Sequence, residues 1–160
     1  MNALIIYYSL SGNTEWAVKQ LEELIPAKSF RLQPDKEPKK TGFSRYLTGG
    51  SSALRGESVE LAAIPEDLDS YDTVILAGPI WAGTFPPAIF SFLQRCPLKN
   101  KRVALVATSM SGYIDHLTNK KMAPYMKDCE SAGVLSLVSP LKKQEEARRK
   151  IEAFCEKLNA

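Results

Sequence analysis

Short runs in which nearly every position is apolar recur along the chain: "ALIIYY" at 3–8, "TVILA" at 73–77 and "RVALVAT" at 102–108. A strand with one wet face alternates; a strand covered on both faces does not, so these runs predict fully buried strands. "VLSLVSPL", from Val134, supplies a further strand. "AKSFRL", 27–32, alternates and suits a sheet edge. Between the runs the apolar period lengthens to that of a helix. Ala17, Val18, Leu21, Leu24 and Ile25 share one face of a helix from about Asn13 to Ile25, which Pro26 stops. "PAIFSFLQRC", 87–96, reads as a helix with proline in its first turn. Pro124 either opens a helix running to Ala132 or kinks a longer one, and Gly133 ends it. Ala147, Ile151, Phe154, Cys155 and Leu158 form the stripe of a closing helix. Residues 34–40 read as a polar linker, and 43–54 as a helix interrupted by Gly49 and Gly50.

The order is β then α, five times over. It predicts an α/β protein, a parallel sheet with helices on both faces. Such sheets bind ligands beyond the carboxyl ends of their strands, where the strand order reverses. For a five-stranded sheet in the order 2-1-3-4-5, that point lies between the first and third strands. The loops that matter then follow Tyr8, Ala77 and Thr108.

The first loop, "SLSGNT" at 9–14, concentrates the hydroxyls of Ser9, Ser11 and Thr14 around Gly12, with Leu10 and Asn13 between them and no cation. It leads into a helix, whose first amides lack intrahelical acceptors and carry partial positive charge. Hydroxyls, free amides and a glycine that lets the backbone approach suit a phosphate. Ser11 or Asn13 acting as a helix cap accounts for one polar residue there, not for three hydroxyls. The second loop, "GPIWAGTFPPA", holds Pro79, Ile80, Trp81, Ala82 and Gly83. Trp81 offers a flat surface to an aromatic ligand or packs over the sheet edge. The third, "SMSGY", holds Ser109, Met110, Ser111, Gly112 and Tyr113. Together the loops suit a ligand with a phosphate at one end and a planar ring at the other.

The chain's 160 residues, 44% hydrophobic and 24% charged, predict one domain, 1–160, with a real core. A net charge of +3 is too weak to argue for nucleic acid. No apolar run is long enough to span a bilayer, and "ALIIYY" lacks the flanks of a signal peptide, so a soluble, cytoplasmic protein is expected. Cys96, Cys129 and Cys155 are odd in number and form no C-x-x-C, which argues against a disulfide framework or a zinc site and for inert thiols. His116 is the sole histidine. G-x-x-x-x-G-K and G-x-G-x-x-G are both absent, removing Walker-type and dinucleotide readings. A phosphoacceptor Asp is missing at Ala77–Gly78–Pro79, and the first loop has no Cys or Arg for phosphatase chemistry.

"YSLSGNTEWA" resembles the T/S-x-T-G-x-T phosphate loop of flavodoxins, with Ser9, Ser11, Gly12 and Thr14 on the matching positions. "GPIWAG" resembles their second flavin loop, and "TSMSGY" stands where their third stands. No insertion splits the last strand, as in the short-chain type. The resemblance implies a flavodoxin-like three-layer sandwich with sheet order 2-1-3-4-5, binding FMN non-covalently. Ser9 to Thr14 would take the phosphate, and Pro79 to Gly83 with Ser109 to Tyr113 would flank the ring. The Ala82–Gly83 peptide would be the one that flips beside the flavin, with Gly83 making the flip inexpensive. The implied role is electron transfer to a redox partner protein. The alternative is a small reductase that takes hydride from NADH or NADPH and reduces a quinone, an azo compound or another small-molecule acceptor. The flavin loops carry no Asp or Glu, so the second reduction potential is expected to be less negative than in acidic flavodoxins. Lys36, Lys39, Lys40, Arg45 and Arg55 face one acid, Glu37, across 36–55. They read as a solvated face or as a docking patch for an acidic partner.

Overall fold

The computed structural model describes residues 1–36, 58–110 and 116–160. The sheet consists of β1 (Ala3–Tyr7), β2 (Ala27–Arg31), β3 (Thr73–Pro79), β4 (Arg102–Ser109) and β5 (Glu130–Val138). All pairings are parallel, in the order β2-β1-β3-β4-β5. The helices are α1 (Asn13–Leu24), α2 (Pro87–Arg95), α3 (His116–Met126) and α4 (Gln144–Asn159). The predicted helix at 43–54, and Lys39, Lys40, Arg45 and Arg55 of the basic stretch, lie outside the described residues.

Successive side chains on a strand point to opposite faces, and both faces are covered. Ile5 and Tyr7 of β1, Ile75 of β3 and Val106 of β4 pack with Val18 and Leu21 of α1 and with Ile151 and Phe154 of α4. Leu4 and Ile6, Leu76 and Leu105 point the other way, against Ile89 and Phe92 of α2 and Met122 of α3. That is why these strands read as continuous apolar runs. The charged residues of "QEEARRK", 144–150, lie on the wet side of α4, where Glu145 pairs with Arg149 and Glu146 with Lys150 at i, i+4.

The structure redraws the region from α3 to β5. Pro124 lies inside α3, which ends at Met126, and β5 begins at Glu130. Gly133 is a strand residue rather than a helix stop. Val103 faces Ser131 and Ala104 faces Gly133, so Ala132 is an extra residue, a bulge. Gly133 carries φ 117°, which an L side chain rarely adopts. Pro124 thus follows the second of its two readings, inside a longer helix, while the glycine signal misleads because an edge strand tolerates a bulge.

Gly78 lets the loop after β3 fold back over the sheet. A Cβ there would stand 3.0 Å from Cδ1 of the fully buried Phe85 and 3.5 Å from Cγ1 of Ile89. Gly78→Ala therefore overpacks the α2 face and is expected to destabilise the fold by about 1–3 kcal/mol. Urea unfolding should show a lower midpoint with an unchanged slope.

Candidate functional site

β1 runs out at Tyr7, and the chain turns through Ser9–Gly12 into α1. Gly12 takes the N-cap position with φ 86°, and no side chain caps the helix from there. Ser9, already buried, does so from further back: its Oγ accepts the N–H of Glu15 at 3.2 Å. The first helical hydrogen bond runs from Trp16 N–H to the Gly12 carbonyl at 2.9 Å. The N–H groups of Gly12, Asn13 and Thr14 find no acceptor among the described residues. They are donors at the positive end of a helix, with no Cβ at Gly12 to shield them, which suits an anion.

Thr14 is buried, and its hydroxyl shares a 2.8 Å hydrogen bond with the equally buried hydroxyl of Thr108 at the end of β4. If Thr108 donates, the Thr14 proton is free for a ligand. Arg31, at the end of β2, braces the loop from behind. Its Nη2 donates to the Ser9 carbonyl at 3.0 Å and its Nη1 to Glu15 Oε2 at 3.3 Å. Lys19 approaches the other oxygen of Glu15 at 3.7 Å. The acid nearest the loop in sequence is thus flanked by two cations.

The second loop is a tight turn. Trp81 N–H donates to the Thr84 carbonyl at 2.8 Å, and Thr84 N–H to the Trp81 carbonyl at 3.1 Å. Ala82 and Gly83 between them both have positive φ, 49° and 80°, as in a type I′ turn. Flipping their shared peptide leads towards type II′, which favours glycine at the first central position. The strain of a flip therefore falls on Ala82, and the glycine that the sequence reading expects to make the flip inexpensive stands at the second central position. Trp81 is 8% exposed, and its ring meets Tyr8 edge-on, with centroids 5.6 Å apart and planes at 88°. It packs into the core and also lines the cleft beside it.

That cleft is a cavity of about 340 Å³ over the carboxyl ends of β1, β3 and β4. Its size falls at the lower end of the roughly 300–1,000 Å³ typical of small-molecule sites. Of the residues singled out in the three loops, Ser11, Asn13, Pro79, Ile80, Trp81, Ser109 and Met110 line it. Ser9 and Thr14 support it from buried positions. Leu10, Gly12, Ala82 and Gly83 belong to the loops at its border but do not line it. Ser111, Gly112 and Tyr113 lie outside the described residues.

Four residues of the lining were not singled out by sequence: Thr108, Ser139, Leu141 and Lys142. The last three come from the loop after β5. Ser139 N–H donates to the Ser109 carbonyl at 2.8 Å, tying this loop to the third. Leu141 N–H donates to Asn13 Oδ1 at 3.2 Å, while Asn13 Nδ2 donates to Ser11 Oγ at 3.1 Å. Asn13 thus joins the first loop to the fourth. Among the described residues no group of His, Cys, Asp and Glu can hold a metal. The thiols are remote from this chemistry: burial pushes Cys96 and Cys129 up from the usual thiol range, and Cys155 up to about 11.

Fold and cleft together define a doubly wound α/β protein with a cleft at the switch point between β1 and β3, where such sheets bind ligands. A sequence model described as flavodoxin matches residues 2–144, and the chain belongs to the flavodoxin family. No curated protein matches it. Among solved structures it is similar to a candidate flavoprotein from Bacteroides eggerthii DSM 20697, with TM-score 0.77, 19% identity and coverage of 99% of this chain and 98% of that one. A flavoprotein from Lactobacillus acidophilus NCFM in complex with FMN gives TM-score 0.67 at 21% identity, covering 90% and 98%. The two-electron reduced flavodoxin of Megasphaera elsdenii gives 0.58 at 16%, covering 96% and 98%. No helix among the described residues is long and apolar enough to cross a membrane.

Proposed function

We propose that this chain binds FMN and carries electrons between redox partners. The observation behind this reading is the composition of the cleft. One end offers uncharged donors at a helix tip; the rest of its wall is largely apolar. No carboxylate, imidazole or thiol appears among its described lining residues. A site whose one ionisable side chain among the described lining residues is Lys142 suits chemistry done by the cofactor, and FMN, when bound, supplies one- and two-electron transfer.

The residues divide the work. The free amides of Gly12, Asn13 and Thr14 hold the phosphate, with the Ser11 and Thr14 hydroxyls adding donors and Ser9 and Leu10 shaping the loop. Thr108 orients Thr14. Pro79, Ile80, Trp81 and Met110 enclose the ring and keep water from it, with Ala82–Gly83 and Ser109 at its border. Tyr8 locks the Trp81 plane, so little side-chain freedom is lost on binding.

The purified protein is expected to be yellow, or its flavin-free form to bind one equivalent of FMN with quenching of flavin fluorescence. Alone it should consume neither NADH nor NADPH; electrons should flow only when a separate reductase is supplied. A folded, flavin-free sample that gives no heat with FMN in calorimetry overturns the reading. Sustained NADH or NADPH oxidation by the protein alone makes it a reductase instead.

A further inference from the structure

The phosphate loop has no cation of its own, and Arg31 behind it is engaged with Ser9 and Glu15. The loop after β5 brings one. Lys142 is the single charged residue among the described lining of the cleft. It is exposed and makes no ion pair among the described residues. Its backbone is held: its N–H donates to the Ser139 carbonyl at 2.8 Å, and Lys143 N–H reaches the same oxygen at 3.1 Å.

The loop's position places this charge at the phosphate end rather than at the ring. Leu141, the neighbour of Lys142, hydrogen-bonds Asn13 of α1. A Cβ on Gly12 would stand 3.6 Å from Leu141 Cδ1. Leu141 is therefore clamped against the tip of α1, where the free amides are, and Lys142 is its next residue.

We propose that Lys142 supplies the positive charge missing from the phosphate loop and pairs with the phosphate of the bound flavin nucleotide. The inference rests on the FMN reading above. An ammonium on a flexible stem suits such a pairing, because it swings onto a dianion without needing the planar match of a guanidinium. An uncharged loop alone distinguishes FMN from riboflavin through hydrogen bonds. With Lys142 the discrimination gains a charge–charge part that salt screens.

The test is flavin titration of the flavin-free protein, wild type against Lys142→Met and Lys142→Arg, using FMN and riboflavin at low and high salt. Lys142→Met should weaken FMN by about fivefold to twentyfold. It should leave riboflavin unchanged and flatten the salt dependence for FMN, and Lys142→Arg should restore most of the loss. Unchanged FMN affinity, or an equal loss for both flavins, overturns the proposal while leaving FMN binding intact. Wild-type protein that binds neither flavin removes the FMN reading itself, and this inference with it.

Discussion

Gly12→Val should weaken FMN binding by about 100-fold or more while leaving the protein folded. Gly12 sits at φ 86° as the N-cap of α1. In the left-handed region a Cβ costs roughly 1–2 kcal/mol, and a β-branched side chain more. Against a stability of roughly 5–15 kcal/mol that loss is survivable. A Cβ at this position lies 3.6 Å from Leu141 Cδ1, an ordinary contact, so packing alone does not forbid the variant. Affinity suffers more. Hydrogen bonds to a charged acceptor contribute about 1.5–3 kcal/mol each. A side chain standing over the amides of Gly12, Asn13 and Thr14 displaces the phosphate from at least one or two of them. Riboflavin, which has no phosphate, should lose far less. Fluorescence titration with both flavins, beside urea unfolding, separates the effects. FMN affinity within about threefold of wild type would remove the anion site from the tip of α1.

The same residue shows how far the sequence alone can reach. The turn at Gly12 into α1 is legible because the glycine stands among three hydroxyls at the end of an apolar run. β1, β3 and β4 were legible for a related reason: central strands of a parallel sheet are buried twice, and their composition says so. β5 lies at the edge, and its first residues, "ESAG", are polar or small. Edge position and the bulge at Ala132 both dilute the strand signal, so its start was placed several residues late.

The parts of the cleft that escaped notice depend on tertiary neighbours. Thr108 looks like one more β-branched strand residue; its hydroxyl matters because β4 brings it within 2.8 Å of Thr14. Arg31 ends an edge strand, and only the pairing of β2 with β1 puts it behind the first loop. "SPLKK" after β5 carries no spacing that points to a ligand. It reaches the site because α1 and α4 share one face of the sheet, which brings the start of each helix together. Sequence reports what a segment buries and how it turns, but not which distant turn it will lean on.

Met110→Glu should lower the potential at which bound FMN takes its second electron by on the order of 40 mV. Negative charge accumulates in the cleft as electrons enter, and the wild-type lining contains no described carboxylate to oppose it. Lys142, the one charge among the described lining residues, acts in the opposite sense. Met110 is 72% exposed at the rim, so a carboxylate there enters without disturbing the core. At about 7 Å and an effective dielectric of ~60, intermediate between water and protein, the repulsion is about 0.8–1 kcal/mol. That corresponds to on the order of 40 mV for one electron. A fully sheltered carboxylate, at a dielectric of ~20, would shift it by on the order of 0.1 V. The wild-type second potential should accordingly lie well above that of a flavodoxin whose flavin loops are acidic. The Met110→Glu shift should shrink as ionic strength rises, because the site is exposed. Lys142→Met, which removes a charge at the phosphate end, should move the potential the same way but by less, and add to it provided the two side chains act independently. Redox titration at two salt concentrations measures all three. A potential that does not move in either variant would mean the flavin ring lies elsewhere than beside the third loop.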